Sequence, residues 1–145
     1  MADAIITAWD TKVAYNFWRP LTAIRLGDDD TNPFTIGDPD WQPLINTPNY
    51  SDFTSGANAI SGAATPALAL FFGRDKMNFT VTTTNPGAIQ QTRAFSRFSD
   101  AAEEVFKARI LEGIHFRFAD AEGRKQGIRV AQWAFSHYLK PLCDD

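Results

Sequence analysis

The chain has 145 residues, of which 44% are hydrophobic and 21% charged, and its formal net charge at pH 7 is −3. This composition excludes long disorder, and the negative charge argues against non-specific nucleic-acid binding, which needs a positive field. The lone cysteine, Cys143, excludes an internal disulfide, and no apolar stretch approaches the roughly 18 residues of a membrane span.

The length predicts a single domain over residues 1–145. Residues 1–9 have no basic segment of the kind that begins a secretory signal. The sequence therefore predicts either an intracellular protein or a secreted or periplasmic one whose leader is missing here, and it leaves the compartment open.

The first predicted element is a helix over residues 4–18. Pro20 disfavours helical geometry at Arg19, so we expect a kink or a helix end there and a short helix over residues 21–26. Lys12 and Arg19 are seven residues apart, about two helical turns, so both cations can lie on the same side of one helix. A solvated face is the simplest interpretation of this pair, whereas burying it would need an anion nearby.

Residues 27–53 are predicted to form a long loop rich in Pro, Asn and Gly. Loops of this length in compact domains usually serve a site or act as a lid. The acidic run at residues 28–30 is interpreted as a solvated turn, because three consecutive side chains point in different directions and suit a metal site poorly.

A second long helix is predicted over residues 55–72, with Thr54 or Ser55 as its N-cap and Gly73 at its end. Its first half consists of small residues, which would let a neighbouring backbone approach closely. Ser55 and Gly56 at its start can form an anion-binding site from a hydroxyl and free N–H groups, although simple capping is the plainer interpretation.

A strand is predicted over residues 78–84, followed by a turn at residues 85–87. Ser99 is the predicted N-cap of a third long helix that runs towards Gly113. The chain is thus predicted to be mostly helical, with no internal repeat.

The last helix is predicted to begin near Asp120 or Ala121 and to stop at Pro141. Four residues at helical spacing form its predicted apolar face: Ile128, Ala131, Phe135 and Tyr138. His137 near its end is interpreted as a structural or surface residue.

Arg109 and His115 are six residues apart, so a straight helix would not place them on one face. We therefore expect a bend between them, which Gly113 can supply. Taken alone, a histidine among Ile and Phe neighbours is more often a hydrogen-bonded core residue than a nucleophile.

Three motifs occur in a fixed order: Lys12-x6-Arg19-Pro20, the helix start Ser55-Gly56, and Arg109-x5-His115. This pattern resembles the vanadium-dependent haloperoxidase and type 2 phosphatidic acid phosphatase superfamily. The flanking segments 16–20, 41–44 and 113–118 are similar to the haloperoxidase branch, and the resemblance covers about residues 8–135.

The resemblance implies an all-α helical bundle with at most a short strand pair, and a site for an oxyanion, which is vanadate in the peroxidases and phosphate in the phosphatases. It implies five oxyanion-binding residues: Lys12, Arg19, Ser55, Gly56 and Arg109. It also implies that His115 binds vanadium directly or attacks phosphorus as a nucleophile.

Two positions depart from the family pattern. Ala57 stands where a histidine usually follows Ser-Gly, and losing such a general acid–base group typically costs about 10²–10⁴-fold in rate. Ala119 stands where the third motif usually has an aspartate, with Asp120 next to it. We therefore expect oxyanion binding to be better preserved than turnover.

The leading function implied is a vanadate-dependent haloperoxidase that oxidises halide with hydrogen peroxide. The alternatives are an acid phosphatase that hydrolyses phosphomonoesters through a His115 phospho-intermediate, and a non-catalytic oxyanion-binding remnant. Since the family bundle is usually longer, the chain resembles its C-terminal half. We therefore expect excess exposed apolar surface, covered by a second copy or by a missing N-terminal half.

Overall fold

The computed structural model describes residues 1–138 and residue 140. The elements in chain order are α1 (Ala2–Tyr15), α2 (Pro20–Arg25), a 3-10 turn (Gly27–Asp29), α3 (Gly56–Phe72), β1 (Lys76–Thr82), β2 (Thr92–Arg97), α4 (Phe98–Leu111) and α5 (Arg117–His137). The fold class is confirmed, since helices dominate and a single antiparallel pair of strands joins α3 to α4. Cys143 and the predicted helix stop at Pro141 lie outside the described residues.

The helix α1 ends at Tyr15, earlier than predicted, because Asn16 adopts a left-handed conformation with φ 41°. Pro20 then occupies the first turn of α2, where its missing N–H costs no hydrogen bond, and Arg19 is the N-cap. Lys12 and Arg19 therefore lie on different elements, and the expectation that they share one helix face is wrong.

The helices α3 and α5 pack with their backbones almost in contact. A Cβ atom added at Gly62 of α3 would lie 2.6 Å from the carbonyl oxygen of Arg124 on α5. A Cβ atom at Gly123 of α5 would lie 2.5 Å from the carbonyl oxygen of Ser55 at the start of α3. The prediction that the small residues of α3 admit a close neighbour is confirmed.

The buried face of α5 differs from the predicted one. Gly123, Gly127 and Ala131 are buried against α3, whereas Phe135 and Tyr138 are exposed. Of the four predicted positions Ala131 is buried and Ile128 is half-buried, so the prediction is correct for the first half of this face and wrong for Phe135 and Tyr138. Hydrophobic periodicity depends on the positions of apolar side chains, so it does not detect two glycines that pack through their backbone.

The helix α4 begins at Phe98, so the prediction of Ser99 as its N-cap is wrong. Asp75, just before β1, accepts hydrogen bonds from the Ser99 backbone N–H at 2.9 Å and from its hydroxyl at 2.6 Å. These bonds lower the pKa of the Asp75 carboxyl. The start of α4 is thus capped by a carboxylate that is distant in sequence.

The strand β1 was predicted from its sequence, but its partner β2 was not. The two strands pair antiparallel with an irregularity between Lys76 and Phe79. The strand β2 is mostly exposed and lacks the regular alternation that signals a half-buried strand. The helix α5 also begins earlier than predicted, at Arg117 rather than near Asp120.

Few large side chains are buried in this fold. The core cluster consists of Ala4, Ala63 and Ala131, with Ala67 and Val130 packed against it. Several large apolar side chains of α1 are exposed instead: Ile5, Ile6, Trp9, Val13 and Tyr15. The predicted excess of exposed apolar surface is present. None of the helices in the described part of the chain has the length and apolar character needed to cross a bilayer.

Candidate functional site

Residues 50–55, at the end of the long loop, gather the candidate side chains. The Lys12 ammonium donates to the carbonyl oxygens of Ser51 and Asp52, both at 2.8 Å. The Arg19 Nε donates to the carbonyl oxygen of Tyr50 at 2.8 Å. The Tyr50 ring also lies 5.2 Å from the Lys12 Nζ and 4.9 Å from the Arg19 Cζ. The loop brings the two cations together although no single helix does.

Lys12 and Arg19 are both buried, with exposed fractions of 3% and 5%. Burial lowers the pKa of Lys12 from 10.5 to about 8, and the positive charge of Arg19 adds to this shift. Burial also lowers the pKa of Arg19, although a guanidinium stays protonated in proteins. The charge of Arg109 lowers both pKa values, so a third cation lies within electrostatic range.

His115 lies between Arg19 and Asp52 in the connection from α4 to α5. Its Nε2 is 3.3 Å from the Arg19 Nη1, and its Nδ1 is 2.5 Å from the Asp52 Oδ1. The Arg19 Nη1 also donates to the carbonyl oxygen of Ile114 at 2.8 Å. Gly113 has φ 75° and supplies the predicted bend. The turn at Gly113 thus places the imidazole next to the buried cations.

Asp52 is a site residue that the sequence did not single out. It is fully buried, its Oδ2 accepts the Phe116 backbone N–H at 3.3 Å, and its Oδ1 lies 3.6 Å from the Arg19 Nη1. Its backbone N–H donates to the carbonyl oxygen of Phe17 at 2.8 Å. The sequence signal was one acidic residue three positions before the Ser-Gly pair, which is weak because loop aspartates are usually solvated.

Ser55 is the N-cap of α3, as predicted, and its Oγ accepts the Asn58 backbone N–H at 3.4 Å. The Asn58 side-chain amide donates to the Ser55 Oγ at 3.2 Å and to the Asp120 Oδ1 at 2.7 Å. Asp120 is fully buried, and this burial raises the pKa of its carboxyl. Asp120 therefore supports the start of α3, whereas His115 receives its carboxylate contact from Asp52.

Gly56 is the first residue of α3, and a Cβ atom added there would meet no atom within 4 Å. The backbone N–H groups in the first turn of a helix have no acceptor within the helix, and the helix dipole favours an anion beside them. Open space therefore lies next to an anion-favouring helix start. Ala57, which follows Gly56, brings no titratable group to it.

Arg109 lies on α4, where its Nη1 pairs with Glu112 at 3.1 Å. The Arg109 Nε and the Arg19 Nη2 are buried and have no hydrogen-bond acceptor among the described residues. A buried donor without a partner carries a desolvation cost of about 1–3 kcal/mol. An oxyanion is the kind of partner that two guanidinium N–H groups would bind most strongly.

His137 lies at the C-terminal end of α5 and is exposed. Its ring stacks on Trp133 with the centroids 4.6 Å apart, and its Nδ1 lies 2.8 Å from the Ser136 hydroxyl. Its interpretation as a surface residue is confirmed.

Residues 1–143 match the family model of the VCPO second helical-bundle domain. A bacterial vanadium-dependent iodoperoxidase of known structure is 35% identical, with a TM-score of 0.80 over 95% of this chain and 31% of that chain. The apo and holo structures of a bacterial vanadium-dependent chloroperoxidase share the fold at 17% identity, with TM-scores of 0.74 and 0.73 over 92% of this chain and 33% of theirs. The chain thus spans about a third of the length of these structures. No curated protein matches the sequence.

Proposed function

Because the chain belongs to the vanadium haloperoxidase family, as its second helical-bundle domain, we propose that it carries the oxyanion site of a vanadate-dependent haloperoxidase. The observation that carries the proposal is the pair of buried guanidinium N–H groups, on Arg19 and Arg109, that lack acceptors among the described residues. These groups lie within electrostatic range of the Lys12 ammonium, and a single anion would pair with all three positive charges.

The residues present fit a tetrahedral oxyanion such as vanadate or phosphate. In the proposed site, Arg19 and Arg109 donate their free N–H groups and Lys12 contributes a compact positive charge. The Gly56 amide, beside which space is open, and the Ser55 hydroxyl would bind from the start of α3. When bound, vanadate supplies the centre at which hydrogen peroxide is activated to oxidise a halide ion.

His115 is the residue proposed to bind the vanadium itself. Its Nε2 faces Arg19, on the side of the buried cations, while its Nδ1 faces the Asp52 carboxylate. The ring is buried, so water competes little for this nitrogen. In the phosphatase alternative, the same nitrogen would attack phosphorus.

Ala57 favours a second candidate function, a non-catalytic oxyanion-binding protein. A methyl group cannot transfer a proton, so a site with every anion donor in place still lacks the group that usually protonates a leaving oxygen. Oxyanion binding and catalytic turnover can therefore occur separately in this chain, and each needs its own measurement.

The test compares the chain with Ala57→His. Each is titrated with vanadate and with phosphate by calorimetry, and is then assayed for halide oxidation with peroxide and for phosphomonoester hydrolysis. We expect both proteins to bind vanadate. We expect Ala57→His to oxidise halide about 10²–10⁴-fold faster than the parent chain. Arg19→Ala and Arg109→Ala should lose binding, whereas Arg129→Ala, at an exposed position of α5, should retain it.

Failure of the parent chain and of Ala57→His to bind either oxyanion would overturn the site assignment. Binding by both with turnover only in Ala57→His would select the non-catalytic function. Phosphomonoester hydrolysis without halide oxidation would select the phosphatase.

A further inference from the structure

We propose that Asp52 is the positioning residue for His115, holding the imidazole in the tautomer that keeps its Nε2 unprotonated on the side of the proposed oxyanion. The inference rests on the proposed function in that the oxyanion site lies on the Nε2 side of the ring. The choice of tautomer itself follows from the contacts of His115 and can be measured without any ligand.

The short contact with Asp52 determines the tautomer, and the contact with Arg19 is compatible with it. The Asp52 carboxylate lies 2.5 Å from Nδ1 and can only accept hydrogen bonds, so an unprotonated Nδ1 would set two lone pairs against each other. The Arg19 guanidinium lies 3.3 Å from Nε2 and can only donate. Both contacts place the proton of the neutral ring on Nδ1 and the lone pair on Nε2, and the Asp52 contact, which is shorter and made to a formal negative charge, is the one that fixes it.

The position of the Asp52 carboxylate is itself firmly fixed. Its second oxygen accepts the Phe116 N–H, so the carboxylate bridges the imidazole and the backbone that follows it. Its own backbone N–H and carbonyl bind Phe17 and Lys12. The nearby Arg19 charge offsets part of the cost of burying a carboxylate.

Among the described residues, Asp52 is the carboxylate in contact with the ring, whereas Asp120 acts on His115 through its charge. Ala119 carries only a methyl group, and the Asp120 carboxylate is bound by Asn58. The carboxylate for His115 therefore comes from the loop before α3 rather than from the helix that follows the histidine. This exchange explains how the chain can lack an aspartate at position 119 and still orient its histidine.

The first measurement uses the parent chain labelled with ¹⁵N, free of phosphate and vanadate, at a pH where the ring is neutral. The chain has two histidines, so His137→Gln assigns the His115 signals. The nitrogen chemical shifts and couplings report which ring nitrogen carries the proton. We expect Nδ1–H for His115, and an Nε2–H ring would overturn the inference whether or not any variant folds.

The second measurement uses Asp52→Asn, whose side-chain amide can donate to Nδ1 and so permits the Nε2–H tautomer. We expect the His115 proton to move towards Nε2 and the affinity for vanadate to fall by about 10–100-fold, the usual effect on metal affinity of removing an orienting partner. Asp40→Asn removes the same charge from an exposed position of the same loop, and it should change neither quantity.

An unchanged tautomer in folded Asp52→Asn would overturn the inference. An Nδ1–H ring in a parent chain that binds neither phosphate nor vanadate would instead support the positioning by Asp52 and overturn the proposed function. The two failures can therefore be told apart.

Discussion

Lys12 and Arg19 are buried side by side, and most of their hydrogen bonds go to backbone carbonyl oxygens rather than to carboxylates. A carbonyl satisfies an N–H group but contributes no formal charge. Asp52 is the carboxylate paired with Arg19, at 3.6 Å, and it also serves His115. The two cations therefore outnumber the carboxylate that pairs with them directly, and this excess favours an anion in a place that excludes water.

The pKa of Lys12 gives a pH prediction for anion binding. As the pH rises through about 8, Lys12 loses its proton, so the affinity for phosphate should fall by up to about tenfold per pH unit. Lys12→Arg stays charged and should remove this component of the pH profile. Calorimetric titrations of both proteins on either side of this pKa would measure the difference, and identical profiles would contradict the assignment of Lys12.

The same shift has a definite sign for stability. The folded pKa of Lys12 is below its ordinary 10.5, so the charged lysine costs the folded chain stability below pH 8. This cost is relieved as the pH rises from about 8 to 10.5, and the contribution of Lys12 to the free energy of unfolding increases over that window. Stability and anion binding thus respond to this proton in opposite directions.

At the scale of elements, the contact between α3 and α5 sets the geometry of the helix start at which we propose that the anion binds. Gly127 faces the backbone of Ala59 and Ala63, and a Cβ atom there would overlap the Ala59 carbonyl oxygen. Since the overlap is with backbone, no side-chain rotation relieves it. One helix must move away from the other, and Ser55 and Gly56 would move with α3.

Gly127→Ala should destabilise the chain. Overpacking typically costs about 1–3 kcal/mol, whereas alanine gains at most about 1 kcal/mol in helix propensity over glycine. Urea unfolding would measure the loss. Arg129→Ala, exposed on the same helix, should stay within about 0.5 kcal/mol of the parent. A Gly127→Ala variant more stable than the parent would show that the helices are not this close.

Elements whose signals are local were predictable from the sequence. The helix α3 begins and ends as predicted because Ser55 caps its first turn and Gly73 adopts a left-handed conformation at its end. The start of α4 and the buried face of α5 were not predictable in this way. The first depends on Asp75, which is distant in sequence, and the second on glycines whose role is visible only when the partner backbone is in place.

The candidate site shows the same division. The sequence motifs include Lys12, Arg19, Arg109 and His115 because these are basic residues at spacings that the family pattern shares. Asp52 has no such spacing, since its contact with His115 joins residues that are far apart in the chain. Its role could be found only once the fold had brought the two together.

At the scale of the whole molecule, α1 carries one of the exposed apolar surfaces. Ala4, Ala8 and Lys12 form its buried stripe, while Ile6 and Val13 are 65% and 79% exposed. Surfaces of this kind are usually covered by another polypeptide. We propose that a second copy of the chain covers the α1 face when the chain is alone in solution.

Isolated chain should therefore self-associate, with a sedimentation coefficient that rises with concentration. Ile6→Glu places a charge on the α1 face and should shift the population towards monomer. Gln90→Glu adds the same charge on the exposed connection between β1 and β2 and should have no such effect. A parent chain that remains monomeric and binds no hydrophobic dye would contradict the proposed coverage of α1.

Because Gly123 approaches the Ser55 carbonyl oxygen so closely, the proposed oxyanion site requires a glycine at a position that carries no charge. A side chain at position 123 would displace the residue that supplies the cap hydroxyl, although position 123 itself would touch no ligand. A search for other chains with the proposed oxyanion site should therefore require a glycine at the position of Gly123 on α5 as well as the basic residues. Such a search would reject sequences that keep every charged residue but have a side chain that prevents the close packing of α3 against α5.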